Sequence, residues 1–548
     1  MRDRVATKEL NLLTKIMNKK LLLISISSIL TLVLLIFFML MSWDFFIKED
    51  NSQPSNTINM GSIKTTEYDF SFGIHPSSLE GYTYAKDLGI DFNREGVYFV
   101  WNWLDINKNG NFRFKAATAP PHPERPDSGG TINYDDEQEK LSRVTSITMM
   151  RNVCPFRGGR TKNSDSEFKN VEEQKIYQEF VERLVERYDG DSDLGCTENA
   201  PDCYNLGDDE YPSQLLINTL QANPIKYWQT CNQVTDACFG KECRDNNNYA
   251  TKYAKVQELT YLGVKAACPE CQVLIAGDSS KDLYPPVYNA LGGKYVDIID
   301  KHFFGEADDY VNIQTEMDYL KDGLQTGGFD LEKLRFWITE TGTYSGEPTE
   351  EGHEMPYQTE SQQAEGLIKR YTVAFGEGIE KVLWAWGIKE GFGCDCCIFD
   401  YTGLIYDGNK EFQSCDDNDP YDRGEGVKKL AYYSFKLMID KIEGLTSVEI
   451  IQDSGNYVYK FTNKETSEST WVAWSDSSTD KTISLDVENY NSVKITEAVP
   501  KYETGQEVID YNTAFNIEIK TASGGNITLT LGENPVFIEE IDDIEIKN

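Results

Sequence analysis

Apolar and polar positions follow two different rhythms along this chain. From about Phe70 to Met438, short apolar runs rich in β-branched and aromatic residues alternate with longer stretches whose apolar positions recur at helical spacing. The short runs are SFGIHP (71–76), FNREGVYF (92–99), SITMMRNV (146–153), IKYWQTCNQ (225–233), CQVLIAGDS (271–279), VDIIDKHFFG (296–305), FWITETG (336–342) and KVLWAWGIKEG (381–391). Helices are predicted over 79–88, 167–188, 249–267, 363–375 and 430–439. In 167–188, Val171, Ile176, Phe180, Val181, Leu184 and Val185 make one apolar stripe. Strands alternating with helices predict a parallel sheet, and eight repeats predict a closed α/β architecture, the (β/α)₈ or TIM barrel. After about Glu443 the period falls to two, in YVYKFTN, STWVAWSD, KTISLDV and NITLTLG. That pattern predicts an antiparallel β-sandwich over 443–548 that braces the barrel, with Trp471 and Trp474 in a run that reads as core.

The N-terminus departs from both rhythms. Residues 21–43, LLLISISSILTLVLLIFFMLMSW, carry no charge and match the ~20 residues needed to cross a bilayer. Arg2, Arg4, Lys8, Lys15, Lys19 and Lys20 precede this run, while Asp44, Glu49 and Asp50 follow it. The positive-inside rule then predicts a cytoplasmic segment 1–20, a transmembrane helix 21–43, a polar tether 44–66 and an extracytoplasmic barrel 67–442. A cleaved signal peptide is the competing reading, but its apolar core is usually shorter and no small-x-small cleavage site follows. The net charge of −37, from 53 Lys and Arg against 90 Asp and Glu, argues against a nucleic-acid partner, because phosphate contacts need basic patches. All 12 cysteines lie between Cys154 and Cys415. Outside the cytoplasm an even number reads as disulfides. Cys268/Cys271 and Cys394/Cys396/Cys397 have spacings seen in zinc sites, but the second ligand pair is missing. The run beginning at Asp105 resembles the start of a calcium loop, but Ala116 stands where the bidentate Glu would be, so a turn is expected. The acidic stretches 189–193 and 416–422 read as solvated loops, and neither a metal nor another cofactor is expected.

In a barrel of this type chemistry resides at the C-terminal ends of the strands. There the chain offers His75, Asn232-Gln233, His302, Glu340, Trp384 and Trp386, while Arg94 falls near the start of the second strand, 92–99. Glu340 follows the apolar FWIT, where a carboxylate is costly to bury unless it is paired. A structural ion pair would satisfy it, and so would Arg94 if that cation keeps Glu340 ionised for nucleophilic work.

Taken together, WITETGTYSG, YWQTCNQ, DIIDKHFFG and VLWAWGIKEG resemble clan A of the retaining glycoside hydrolases. The β-xylosidase/α-iduronidase and endoglucanase/mannanase families look nearest, and the resemblance covers roughly residues 70–440. It implies a carbohydrate substrate, Glu340 as nucleophile, Arg94 as its hydrogen-bonding partner, Asn232 at the sugar 2-hydroxyl and Trp386, or else Trp384, as a platform under the sugar. His302 matches the sixth-strand histidine, and His75 ends the first strand. Two positions depart from the family pattern. Gln233 stands where the acid/base Glu would be, and an amide cannot donate a proton to a leaving oxygen at neutral pH. Phe304 replaces the tyrosine of the sixth-strand His-x-Tyr. Three readings follow. The chain cleaves substrates whose aglycone departs unprotonated, as in the plant thioglucosidases, which have Gln at the same place. Another carboxylate, Asp236 or Glu242, supplies the proton. Or catalysis is lost and the protein binds surface glycans.

Overall fold

The computed structural model describes residues 64–541 apart from positions 69, 76–78, 95, 97, 121–128, 145–146, 157–167, 191–211, 235–247, 280, 350–353, 392–397, 409–419, 478–480 and 488–490. The apolar run 21–43, most of the tether, Asp236, Glu242 and eight of the cysteines lie outside the described residues. Among the described residues no helix is long and apolar enough to cross a membrane.

Eight parallel strands close the barrel. They are β1 (Ser71–His75), β2 (Phe92–Arg94), β3 (Thr148–Cys154), β4 (Tyr227–Thr230), β5 (Gln272–Leu274), β6 (Ile298–Phe304), β7 (Arg335–Gly342) and β8 (Lys381–Ala385). β8 pairs with β1 and β2 pairs with β3, so no barrel edge is left open. FNREGVYF is not one strand. It breaks near Gly96, and Phe99–Val100 resumes pairing farther along β3. The predicted helices form at Leu79–Leu88, Val171–Tyr188, Tyr249–Ala267, Glu360–Gly376 and Leu430–Ile442. Among the described residues, four others of eight or more residues fall outside the segments assigned from the pattern: Tyr134–Val144, Gln214–Ala222, Tyr284–Leu291 and Asn312–Thr326. Tyr284–Leu291 carries two prolines in its first turn, which read as a break but fit a helix start. In Asn312–Thr326 only Ile313, Met317, Leu320 and Leu324 are buried, a stripe too thin to stand out among polar residues.

The barrel interior is layered. Phe92, Met150, Leu274, Ile298, Trp337 and Leu383 fill its lower layer with apolar bulk. One side-chain repeat farther along the strands, Arg94, Asn152, Gln229, Asp300 and Thr339 make a buried polar layer. The functional end lies above it.

The C-terminal region forms a seven-stranded sheet and a two-stranded sheet, Lys481–Asp486 with Asn526–Leu531. Trp471, Ile483, Leu485, Ile527, Leu529 and Ile538 pack between them, which makes the sandwich. Its edge strand comes from the other end of the chain: Lys64–Glu67 pairs antiparallel with Ser447–Ile450. The last three residues of the segment expected to be a tether are therefore sheet, with Thr66 buried. Trp474 is also buried, donating its indole N–H to Tyr310 Oη of the barrel at 2.9 Å. The carboxylate of Glu360 binds the two regions together, accepting from Leu430 N and Gly505 N at 2.8 Å each.

Two disulfides are described. Cys268–Cys271 closes a short turn before β5, so that pair is not a zinc knuckle. Cys154–Cys231 joins the ends of β3 and β4 across 77 residues of sequence. A Cys154→Ser/Cys231→Ser variant is expected to lose roughly 2–4 kcal/mol of stability, because the bridge constrains a long loop in the unfolded chain. An unchanged melting temperature in the double variant would rule that contribution out.

Candidate active site

Register places the central carboxylate. β6 and β7 pair Lys301 with Ile338 and then His302 with Glu340, so an irregularity of one residue sets Glu340 directly beside His302. Glu340 is 2% exposed, and four side chains meet its two oxygens. Arg94 donates from Nη1 to Oε1 in a short ion pair. His75 Nε2 lies 3.4 Å from the same oxygen. Trp386 donates its indole N–H to Oε2 at 3.3 Å, and His302 Nδ1 lies 3.3 Å from that oxygen. Burial alone would push the Glu340 carboxyl up. The charges of His302 and Arg94 and the His75 contact outweigh it and hold the group well below the usual carboxylate range. Glu340 is therefore an ionised, oriented carboxylate.

Each partner is fixed from behind. Arg94 donates Nε–H to Gln229 Oε1 at 2.7 Å and Nη2–H to Asn232 Oδ1 at 2.5 Å. Gln229 donates to Asp300 Oδ2 at 2.5 Å, and Asp300 accepts from Thr339 N and Oγ1 at 2.9 and 2.6 Å. His302 Nε2 lies 3.2 Å from Asp300 Oδ2. His75 donates Nδ1–H to the Arg94 carbonyl at 2.7 Å. Burial and then Arg94 push the His75 imidazole below its ordinary value, against the opposing pull of Glu340. Gly277 makes room for this arrangement: a Cβ there would fall 1.9 Å from His302 Nε2.

Gln233 is half-buried at the end of β4. Its Nε2 lies 3.2 Å from His302 Nδ1, and among the described residues no carboxylate hydrogen-bonds it. Two residues before it, Cys231 holds a left-handed backbone with φ 63°, pinned by Cys231 N to Val153 O at 2.9 Å and by the bridge to Cys154.

Six of the candidate residues from the sequence thus converge with Glu340: His75, Arg94, Asn232, Gln233, His302 and Trp386. Trp384 does not. It is fully buried outside the barrel wall and donates its indole N–H to Thr402 O at 2.8 Å. β8 ends at Ala385, so the two-residue alternation that set Trp384 and Trp386 on one face stops between them. Phe304 packs edge-on against Phe399, at 4.9 Å, and Phe399 packs on Trp386. Gln229, Asp300, Thr339 and Asn152 were not singled out in the sequence. Their signal was a polar residue at an inward position of an otherwise apolar strand, as in YWQT and IIDKH.

No family model matches the chain, and no curated protein matches it. Solved structures do. A family 39 glycoside hydrolase from the gut symbiont Bacteroides cellulosilyticus WH2 is 13% identical, with a TM-score of 0.52 over 86% of this chain and 81% of that one. The α-L-arabinofuranosidase of Thermotoga maritima is 12% identical, with a TM-score of 0.52 over 88% of this chain and 98% of that one. The family 51 arabinofuranosidase of Xanthomonas axonopodis pv. citri is 12% identical, with a TM-score of 0.52 over 87% and 96%. The fold is that of the clan A glycoside hydrolases. At this identity the likeness concerns the barrel and the β-domain, and the chemistry must be argued from the side chains.

Two other features resolve more simply. Asp105 accepts from Asn109 N at 3.0 Å and Gly110 N at 2.8 Å, a turn closed on itself. Glu390, Asp407 and Asp422 set carboxylate oxygens within 4.8 Å of one another, the one such acidic group among the described residues. Lys429 pairs with Glu390 there, and Asp422 accepts from the backbone N–H groups of Gly408 and Gly424.

Proposed function

We propose that this protein is a glycoside hydrolase acting on O-glycosyl bonds of an oligo- or polysaccharide by double displacement. The observation that carries this reading is the Glu340 carboxylate: ionised, held by Arg94, His75, His302 and Trp386, and set beside Asn232 at the C-terminal end of a barrel strand. An oxygen of Glu340 attacks the anomeric carbon, the C–O bond to the aglycone breaks, and a glycosyl ester forms. Water then attacks the same carbon, Glu340 leaves, and the sugar is released with retention. In this reading Asn232 hydrogen-bonds the 2-hydroxyl, and Trp386 lies beneath the ring. With Gln233 at the acid/base position, the first step is fast only for aglycones that depart without a proton.

That same glutamine favours a second reading, a glycosidase-like protein that binds surface glycans without cleaving them. The apolar run 21–43 and the Cys154–Cys231 bridge support display outside the cytoplasm on an N-terminal anchor. Covalent labelling separates the two functional readings. Incubation with 2-fluoro dinitrophenyl glycosides of xylose, arabinofuranose and glucose should add one glycosyl mass to the peptide containing Glu340. Absence of the adduct with every sugar would reject catalysis.

A further inference from the structure

Away from Glu340 the described residues contain a second cleft, of about 410 Å³. It lies where three parts of the chain meet: the segment after β7, the segment after β8, and residues 502–504 of the β-domain. Its walls are unusually rich in tyrosine. Tyr357, Tyr406, Tyr421 and Tyr502 line it, with Arg423 at the rim and Ser345 at the base. Tyr357 and Tyr421 pack ring on ring at 4.7 Å, yet Tyr357 remains 48% exposed. A tyrosine pair that only filled core would not leave half of one ring in water. Ser345 is the converse. It is 4% exposed, and its Oγ has no hydrogen-bond partner among the described residues. A buried hydroxyl is rarely left unsatisfied, and this one lines a cavity.

The frame around the cleft is rigid. Gly346 and Gln358 exchange backbone hydrogen bonds at 2.8 and 3.0 Å. Gln358 Nε2 donates to Tyr344 O at 3.1 Å, and Tyr406 donates to Glu360 Oε1 at 3.0 Å. Glu360 is the residue that also holds Leu430 and Gly505. The site is therefore built before any ligand arrives, as small-ligand clefts at domain junctions commonly are.

We propose that this cleft is a second carbohydrate-binding site, separate from the nucleophile. A sugar ring presents a face of weakly positive C–H groups to the negative π-face of an aromatic ring, and a rim of hydroxyls that both donate and accept. Tyr357 and Tyr421 supply the aromatic surface. Arg423 and the hydroxyls of Tyr357 and Tyr502 supply polar partners around it. The net charge of −37 disfavours anionic ligands over a neutral sugar. Ser345 follows Glu340 by five residues, at most about 18 Å of extended chain, so the two sites lie near one another.

Affinity electrophoresis of the full chain in gels containing soluble arabinoxylan, arabinan or mixed-linkage β-glucan tests the proposal. The wild type should be retarded in at least one gel. Tyr357→Ala/Tyr421→Ala should weaken that binding at least about fivefold, from the loss of two stacking faces. Arg423→Ala, at an exposed position, should weaken it without risk to folding. Tyr319→Ala removes a tyrosine that is 44% exposed and lies outside the cleft, and should bind like the wild type. No retardation of the wild type in any of the gels overturns the proposal. Equal retardation of the wild type, the double tyrosine variant and Arg423→Ala also overturns it, since binding would then lie elsewhere. Labelling of Glu340 is read in a separate experiment, so failure of hydrolysis and failure of this site are distinguishable.

Discussion

Replacing Gln233 by Glu should raise kcat/KM on O-glycosides with poor leaving groups by roughly 10²–10⁴-fold, the usual contribution of a positioned general acid. The physical case rests on how little else needs to change. Gln233 ends β4 half-buried, next to Asn232, whose Oδ1 is already held by Arg94 at 2.5 Å. Its hydrogen bond among the described residues runs to His302 Nδ1 at 3.2 Å, a contact that a carboxyl of the same shape can also make. A Glu there would protonate the leaving oxygen in the first step and take a proton from water in the second. Two signatures accompany the gain. The increase should be large for alkyl or sugar aglycones and small for dinitrophenyl glycosides, which need no proton. The variant should also acquire a fall in kcat/KM at high pH, as the new carboxyl loses its proton. Steady-state kinetics across a leaving-group series measure both. Equal effects on all leaving groups would mean that position 233 is not the acid/base site.

Removing Glu340 should have the largest effect in the opposite direction. Glu340→Ala is expected to lower turnover of activated glycosides by roughly 10⁴–10⁶-fold, as deletion of a covalent nucleophile does elsewhere. Stability must be followed in parallel, because the substitution leaves the buried Arg94 guanidinium without its carboxylate. Breaking a buried pair from one side typically costs about 3–5 kcal/mol. Glu340→Gln keeps the shape and part of the hydrogen bonding while removing the nucleophilic charge. A Glu340→Gln protein that is folded by circular dichroism yet still turns over dinitrophenyl glycosides at wild-type rates would exclude Glu340 as the nucleophile.

The barrel was legible because strand and helix periods differ, and each of the eight apolar runs contains one barrel strand. Boundaries were less so. FNREGVYF reads as one strand, but it breaks near Gly96 into Phe92–Arg94 and Phe99–Val100, both paired with β3. The site was legible where residues sit at strand ends, as with Asn232, Gln233, His302 and Glu340, whereas Arg94, near the start of the run 92–99, closes the short strand Phe92–Arg94. Trp384 and Trp386 could not be separated, because periodicity says nothing about where β8 stops. The supporting layer of Gln229, Asp300 and Thr339 was hidden for another reason. Its members lie far apart in sequence, and only closure of the barrel brings them under Arg94 and His302.

Gln233 does not itself meet the Glu340 carboxylate: the four side chains that do come from β1, β2, β6 and the segment after β8, and Gln233 contacts one of them, His302. Glutamine and glutamate codons differ by a single base, so proton donation can be lost or regained in one mutational step while the nucleophile's surroundings stay intact. Under the proposed function, one base change at position 233 would therefore separate a cleaving form of this barrel from a glycan-holding one.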